Sequence, residues 1–276
     1  MSQPAVPDNS PRPSQPASRR IRVWVWLLVL ALVGPCAFVQ TPREVGRWYL
    51  AAAQVEREAG REQLADQYMS RAQDWAPDLP VILLTRAAWR REDGQYQAAL
   101  DDLKQLRESL PDEPVVLVEH AQALQHLGRH DEAIADWKVL DRMSLTGGVP
   151  SREQALNGLA YARAVGKLEL DEALKGVEEA LKIVPRDPMI LDTRGFILYH
   201  QGKYDAALTD MNEAVRGVEV LYKLPPASRR IDAQGVAVVR YHRALVFEKL
   251  GRFAAAKADR ARAKLLIGRE PDETLF

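Results

Sequence analysis

Five histidines, His120, His126, His130, His200 and His242, carry most of the acid–base or metal-binding potential in this chain of 276 residues. A metal or proton-transfer site needs such groups to converge, most simply on one face of a helix. His126 and His130 are four apart, but Gly128 stands between them, so no single helix holds both. His130 reads as a packing residue and His200 as a groove residue rather than a catalyst. The acidic pairs Asp101–Asp102 and Glu178–Glu179 read as solvated helix faces. No HExxH run, phosphate-cradling glycine loop or nucleophile elbow occurs. Cys36 is the one cysteine, which leaves no internal disulfide and no cysteine cluster. We therefore expect no catalytic residue, no metal site, no cofactor and no enzyme. Thirty-eight basic and 38 acidic residues cancel, and that balance argues against nucleic acid as a partner, since nucleic-acid binding needs a concentrated basic face.

The elements that would position any binding side chains repeat. GREQLAD at Gly60, GQYQAAL at Gly94, GRHDEAI at Gly128, GKYDAAL at Gly202 and GRFAAAK at Gly251 share a glycine followed by an alanine five places on. Gly60 to Gly94 and Gly94 to Gly128 are both 34 residues. Gly166 opens a sixth unit whose alanine, Ala173, comes two places late, which reads as a short insertion at the turn. Ahead of each glycine runs a helix-period pattern such as PVVLVEHAQALQHL, and a second amphipathic pattern such as YDAALTDMNEAV follows. The glycine ends the first helix by entering the left-handed region. Ala53, Ala87, Ala121, Gly195 and Ala244 on first helices keep close helix contacts small. Ala65, Ala99, Ala133, Ala173, Ala207 and Ala256 do so on second helices. Tyr96, Tyr204 and Phe253 fill the wedge beside the turn. Pro77, Pro111 and Pro185 stop second helices.

Spacing, glycine, aromatic, alanine and closing proline together resemble the tetratricopeptide repeat (TPR) family. The resemblance implies an all-α, right-handed α-α superhelical solenoid of about six helical hairpins within residues 43–270. The units are placed at about 46–79, 80–113, 114–147, 152–187, 188–221 and 237–270, with an insertion at 218–235 and a tail at 271–276. That insertion contains Pro225–Pro226 and reads as a binding loop or an extended hairpin. In this family first helices line the concave face. By resemblance the partner-binding residues fall on Arg57, Arg91, Gln122, Gln125, Arg163, Phe196, Tyr199, His200 and Tyr241. Arginines toward one half and aromatics toward the other would suit a segment with an acidic and an apolar end. Tyr199 and Tyr241 have a second reading, packing between neighbouring units. The carboxylate clamp of chaperone-binding members is not carried over, because Leu50, Gln54 and Thr85 stand at its positions.

Residues 1–20 hold a proline-rich stretch without aromatics and are expected to form a disordered tail. Residues 21–42 are expected to form a transmembrane anchor, since Val23 to Val39 carry no charged or polar side chain. A cleaved signal peptide fits less well, because the preceding tail is long and Pro35 occupies the recognition position of a cut after Ala37. Arg19, Arg20 and Arg22 precede the apolar run, so the N-terminus is expected in the cytosol and the repeats across the membrane, periplasmic in a bacterium. The function expected is a tethered scaffold or adaptor that binds a partner peptide or helix. A self-associating structural protein and an accessory subunit of an enzyme complex are the alternatives.

Overall fold

The computed structural model describes residues 42–147, 149–225, 228 and 231–271. The expected tail and membrane segment lie outside these residues, save Pro42. Among the described residues no helix is long and apolar enough to cross a membrane.

Twelve helices and no strand are seen among the described residues. They are α1 (42–58), α2 (Glu62–Trp75), α3 (Pro80–Glu92), α4 (Tyr96–Ser109), α5 (Pro114–His126), α6 (His130–Ser144), α7 (Arg152–Gly166), α8 (Leu170–Ile183), α9 (Pro188–His200), α10 (Tyr204–Tyr222), α11 (Ala233–Lys249) and α12 (Phe253–Ile267). Odd and even helices alternate as first and second members of hairpins, which matches the expected all-α architecture.

The chain divides into two compact units, residues 1–82 and 83–276. In the first, Leu50 and Ala53 of α1 and Ala65, Met69 and Ala72 of α2 are buried. Gly46 permits a close approach there, because a Cβ would stand 2.7 Å from Ala76 Cβ. In the second unit each helix from α4 onward packs on the next, and the first helices α5, α7, α9 and α11 also lie side by side. The small residues foreseen at hairpin contacts, Ala87, Ala99, Ala121, Ala133, Ala173, Ala207 and Ala244, are fully buried.

The turns explain the recurring glycine. Gly94 has φ +77°, its N–H bonds to Arg91 O at 3.0 Å, and Gln95 N–H bonds to Arg90 O at 2.7 Å. This paired closure satisfies carbonyls that the helix end would otherwise leave bare. The fourth hairpin departs from the expectation. Gly166 stays helical, and Lys167 takes the left-handed position at φ 55°, with Lys167 N–H to Ala164 O and Leu168 N–H to Arg163 O. Gly166 is small for a different reason, since a Cβ there would come within 2.9 Å of His130 Cβ. Phe253 also departs, being 69% exposed. Tyr96 stacks on His126 of the following helix at 4.2 Å, whereas among the described residues no helix follows α12 to receive Phe253. At the 218–235 insertion α10 runs to Tyr222 and α11 begins at Ala233, so both ends of it are helical.

Beneath the apolar contacts runs a ladder of ion pairs. Asp102, Asp136, Asp210 and Asp259 each sit three residues after a close-contact alanine and are buried. Each meets the residue sixteen places earlier: Arg86, His120, Arg194 and Arg243. The geometry is tight, with Arg194 Nη2 to Asp210 Oδ1 at 2.6 Å and Nε to Oδ2 at 2.7 Å. Arg90 and Arg240 add second guanidinium groups to Asp102 and Asp259, and Arg107 brings one to Asp136. The equivalent places are Ala160 and Gly176 in the fourth hairpin and Ala52 and Tyr68 in the first. Asp102 is thus a buried rung and corrects its reading as a solvated face.

Candidate functional site

A groove of about 450 Å³ runs across the second unit. Its walls come from the first helices: Arg91 and Glu92 of α3, Gln122, Gln125 and His126 of α5, Gln154, Asn157, Gly158 and Tyr161 of α7, Met189, Asp192 and Thr193 of α9, and Gln234, Gly235 and Val238 of α11. Asp232 just before α11 and Trp137 of α6 complete it. The spacings within each helix are one-sided, as in Gln154, Asn157, Gly158 and Tyr161.

The groove is diagonal. It takes the C-terminal turns of α3 and α5, the middle of α7, and the N-terminal turns of α9 and α11. Of the residues expected to bind a partner, Arg91, Gln122 and Gln125 therefore lie in it, and Arg163, Phe196, Tyr199, His200 and Tyr241 do not. The resemblance carried one repeat position along the chain, whereas the groove shifts toward the N-terminal end of each successive first helix. Arg57 belongs to α1 in the first unit.

Burial accounts for the aromatics. Phe196 is 3% and Tyr241 4% exposed. Phe196 stacks on His242 at 4.0 Å and meets His200 edge-on at 4.5 Å, while Tyr199 lies 5.9 Å from Tyr204. Tyr241 packs with Ala237 and Ala263 under the Arg260 guanidinium, 4.8 Å from its ring. Phe196 on His242 joins two neighbouring hairpins, whereas the Tyr199 and Tyr241 contacts fall within their own hairpins, α9 with α10 and α11 with α12. Burial, then the nearby charges of Lys167 and His242, lowers His200 to about 4. Arg163 pairs with Glu169 at 2.8 Å.

Five carboxamides line the groove: Gln122, Gln125, Gln154, Asn157 and Gln234. Each amide both donates and accepts, so together they can pair with the N–H and C=O groups of an extended chain. Gln125 accepts from Trp137 Nε1–H at 3.2 Å, and Asn157 Oδ1 is buried without a hydrogen-bond partner. Arg91 is held by Glu119 at 2.8 Å. His126 is neutral down to about pH 4, because burial and then Arg91 and Arg269 oppose its protonation. Asp192, 1% exposed, bonds through Oδ2 to His242 Nδ1 at 2.8 Å, and its Oδ1 has no hydrogen-bond partner. Burial, then the Asp192 charge, raises the Tyr161 phenol well above its ordinary value. Among the described residues no group of histidine, cysteine or carboxylate side chains could hold a metal.

No family model matches the chain, and no curated protein matches it by sequence. Solved structures do. A tetratricopeptide repeat protein from Parabacteroides merdae is 16% identical, with a TM-score of 0.57 over 84% of this chain and 83% of its own. PilW, a widely conserved type IV pilus biogenesis factor, is 16% identical, with a TM-score of 0.60 over 83% and 96%. PilF of Pseudomonas aeruginosa is 14% identical, with a TM-score of 0.54 over 83% and 94%. At such identities the likeness establishes the tetratricopeptide-type fold, and function rests on the site.

Proposed function

We propose that the protein is a membrane-tethered adaptor that binds an extended segment of another protein in its diagonal groove. In this reading residues 23–39 span the membrane, the N-terminus is cytosolic, and six repeats form a right-handed superhelical solenoid on the far side. The observation that carries the binding role is the carboxamide-lined groove, which offers paired donors and acceptors to a peptide backbone and no convergent catalytic group. Arginines ahead of an uncharged apolar run support the anchor, as does Trp48 on α1, 62% exposed, a side chain suited to a membrane interface. Tethering raises the solenoid's effective concentration near membrane partners. The neighbour PilW, described as a type IV pilus biogenesis factor, is in keeping with a role in assembling an envelope or membrane complex.

A photo-crosslinking residue placed at Gln122, Gln154 or Gln234 of the full-length protein, in its own membranes, tests this. One protein should dominate adducts from these positions and be missing from a probe at exposed Lys175 on α8. Equal labelling from Lys175, or none from the groove, refutes the reading. Protease applied from the cytosolic side should spare the repeats.

One observation favours self-association as a second reading. The last helix, α12, exposes Phe253 and Leu265, the latter at 73%. Sedimentation of the detergent-solubilised protein separates the two, since a monomer at micromolar concentration removes the second.

A further inference from the structure

Five aspartates are buried among the described residues: Asp102, Asp136, Asp192, Asp210 and Asp259. Four receive at least one guanidinium from their own chain: Asp102 from Arg86 and Arg90, Asp136 from Arg107, Asp210 from Arg194, and Asp259 from Arg240 and Arg243. Asp192 is the exception. Its paired neighbour is the His242 ring at 2.8 Å, on the Oδ2 side. His242 is fully buried against Phe196 and does not line the groove, whereas Asp192 does. Asp192 thus stands in the groove wall with Oδ2 engaged by His242 and Oδ1 buried without a hydrogen-bond partner.

A buried carboxylate oxygen without a donor is costly, and a cation with N–H groups is what offsets that cost. We propose that Asp192 forms a subsite for a basic side chain, arginine above all, carried by the bound segment, so that the partner supplies the guanidinium this aspartate lacks. The surroundings suit that group. Asn157 Oδ1, also buried and unpartnered, lines the same groove, and a guanidinium fork can serve more than one acceptor. Tyr161 and Trp137 bring aromatic faces to the wall, and such faces attract planar cations. Arg91, on the far helix α3, is tied to Glu119. This replaces the acidic and apolar segment expected from sequence, and it rests on the groove being a peptide site.

The test is a selection of a random displayed peptide library against the full-length protein in detergent, keeping binders that Gln234→Trp, at the groove mouth, weakens. Retained peptides should share an arginine or lysine. Replacing that arginine by neutral, isosteric citrulline should weaken binding about tenfold or more on the native protein and have little effect on Asp192→Asn. Retained binders without a common basic position, or citrulline equal to arginine, overturn the subsite while leaving the peptide groove standing. A library that yields no groove binder overturns both. Should Asp192→Asn lose its helical circular dichroism, the citrulline comparison on the native protein decides alone.

Discussion

Two glycines in neighbouring helices should respond in opposite directions to the same substitution. Gly158 of α7 faces the indole of Trp137, which is buried in the core cluster with Leu117, Leu124 and Leu140 and donates to Gln125. A Cβ at Gly158 would overlap ring carbons Cζ3 and Cη2 and stand 2.6 Å from Cε3. The nearest ring atom is Cζ3, so reaching an ordinary 3.4 Å contact requires the ring to retreat by more than about 1 Å. Overpacking of this kind costs about 1–3 kcal/mol, and overlap with three ring atoms places it at the upper end. Alanine returns about 1 kcal/mol of helix propensity. Gly158→Ala should therefore destabilise by about 2 kcal/mol, lowering the melting temperature by about 4–8 °C for a unit of this size. Gly176 of α8 has only Leu156 O, at 3.9 Å, near its Cβ direction. Gly176→Ala should keep the propensity gain and melt about 2–4 °C higher. Thermal unfolding by circular dichroism reads both. If the two variants shift alike, Trp137 is not seated over Gly158 and the wall of the groove is misassigned.

Asp102→Ala should cost about 3–5 kcal/mol, because it strands Arg86 and Arg90 beside an empty place; denaturant melts check this, and a loss below about 1 kcal/mol would remove the rung from the stability argument. Ala207→Trp should unfold the fifth hairpin, since Ala207 is fully buried and a Cβ at Gly195 would lie 3.2 Å from its carbonyl oxygen; a melt superimposable on the native one would contradict that contact. His126 and His200 are lowered from 6.5 to about 4. On acidification the unfolded chain binds those protons first, so their contribution is complete above pH 6.5 and lost progressively between pH 6.5 and about 4. With both half-exposed, about 1 kcal/mol each is expected, read as a falling denaturation midpoint whose slope flattens in His126→Gln. A midpoint that rises on acidification would reverse the sign.

The hairpins were legible because their demands are local. A left-handed residue at Gly60, Gly94, Gly128, Gly202 and Gly251, and alanine where helices touch, leave marks at fixed spacing. Lys167 shows the limit of that logic: glycine was assigned to Gly166 by type, and the backbone placed its left-handed residue one position later. The ladder was readable and missed, since Arg86–Asp102, His120–Asp136, Arg194–Asp210 and Arg243–Asp259 share one separation and one offset from the alanines. The groove was only partly readable. A repeat position maps to a fixed place within its own hairpin, but which place faces the groove depends on how hairpins rotate past one another. That rotation is a sum over interfaces, so Gln122 was found and Asp192 was not.

The diagonal course of the groove has a mechanical side. Five hairpins each give it about one helical turn, from Arg91 on α3 to Val238 on α11. A small change of angle at successive hairpin interfaces therefore adds up to a larger displacement along the wall. In the proposed reading, a bound segment lying along all five hairpins would hold those angles together, so that occupancy at one end of the wall would be felt at the other.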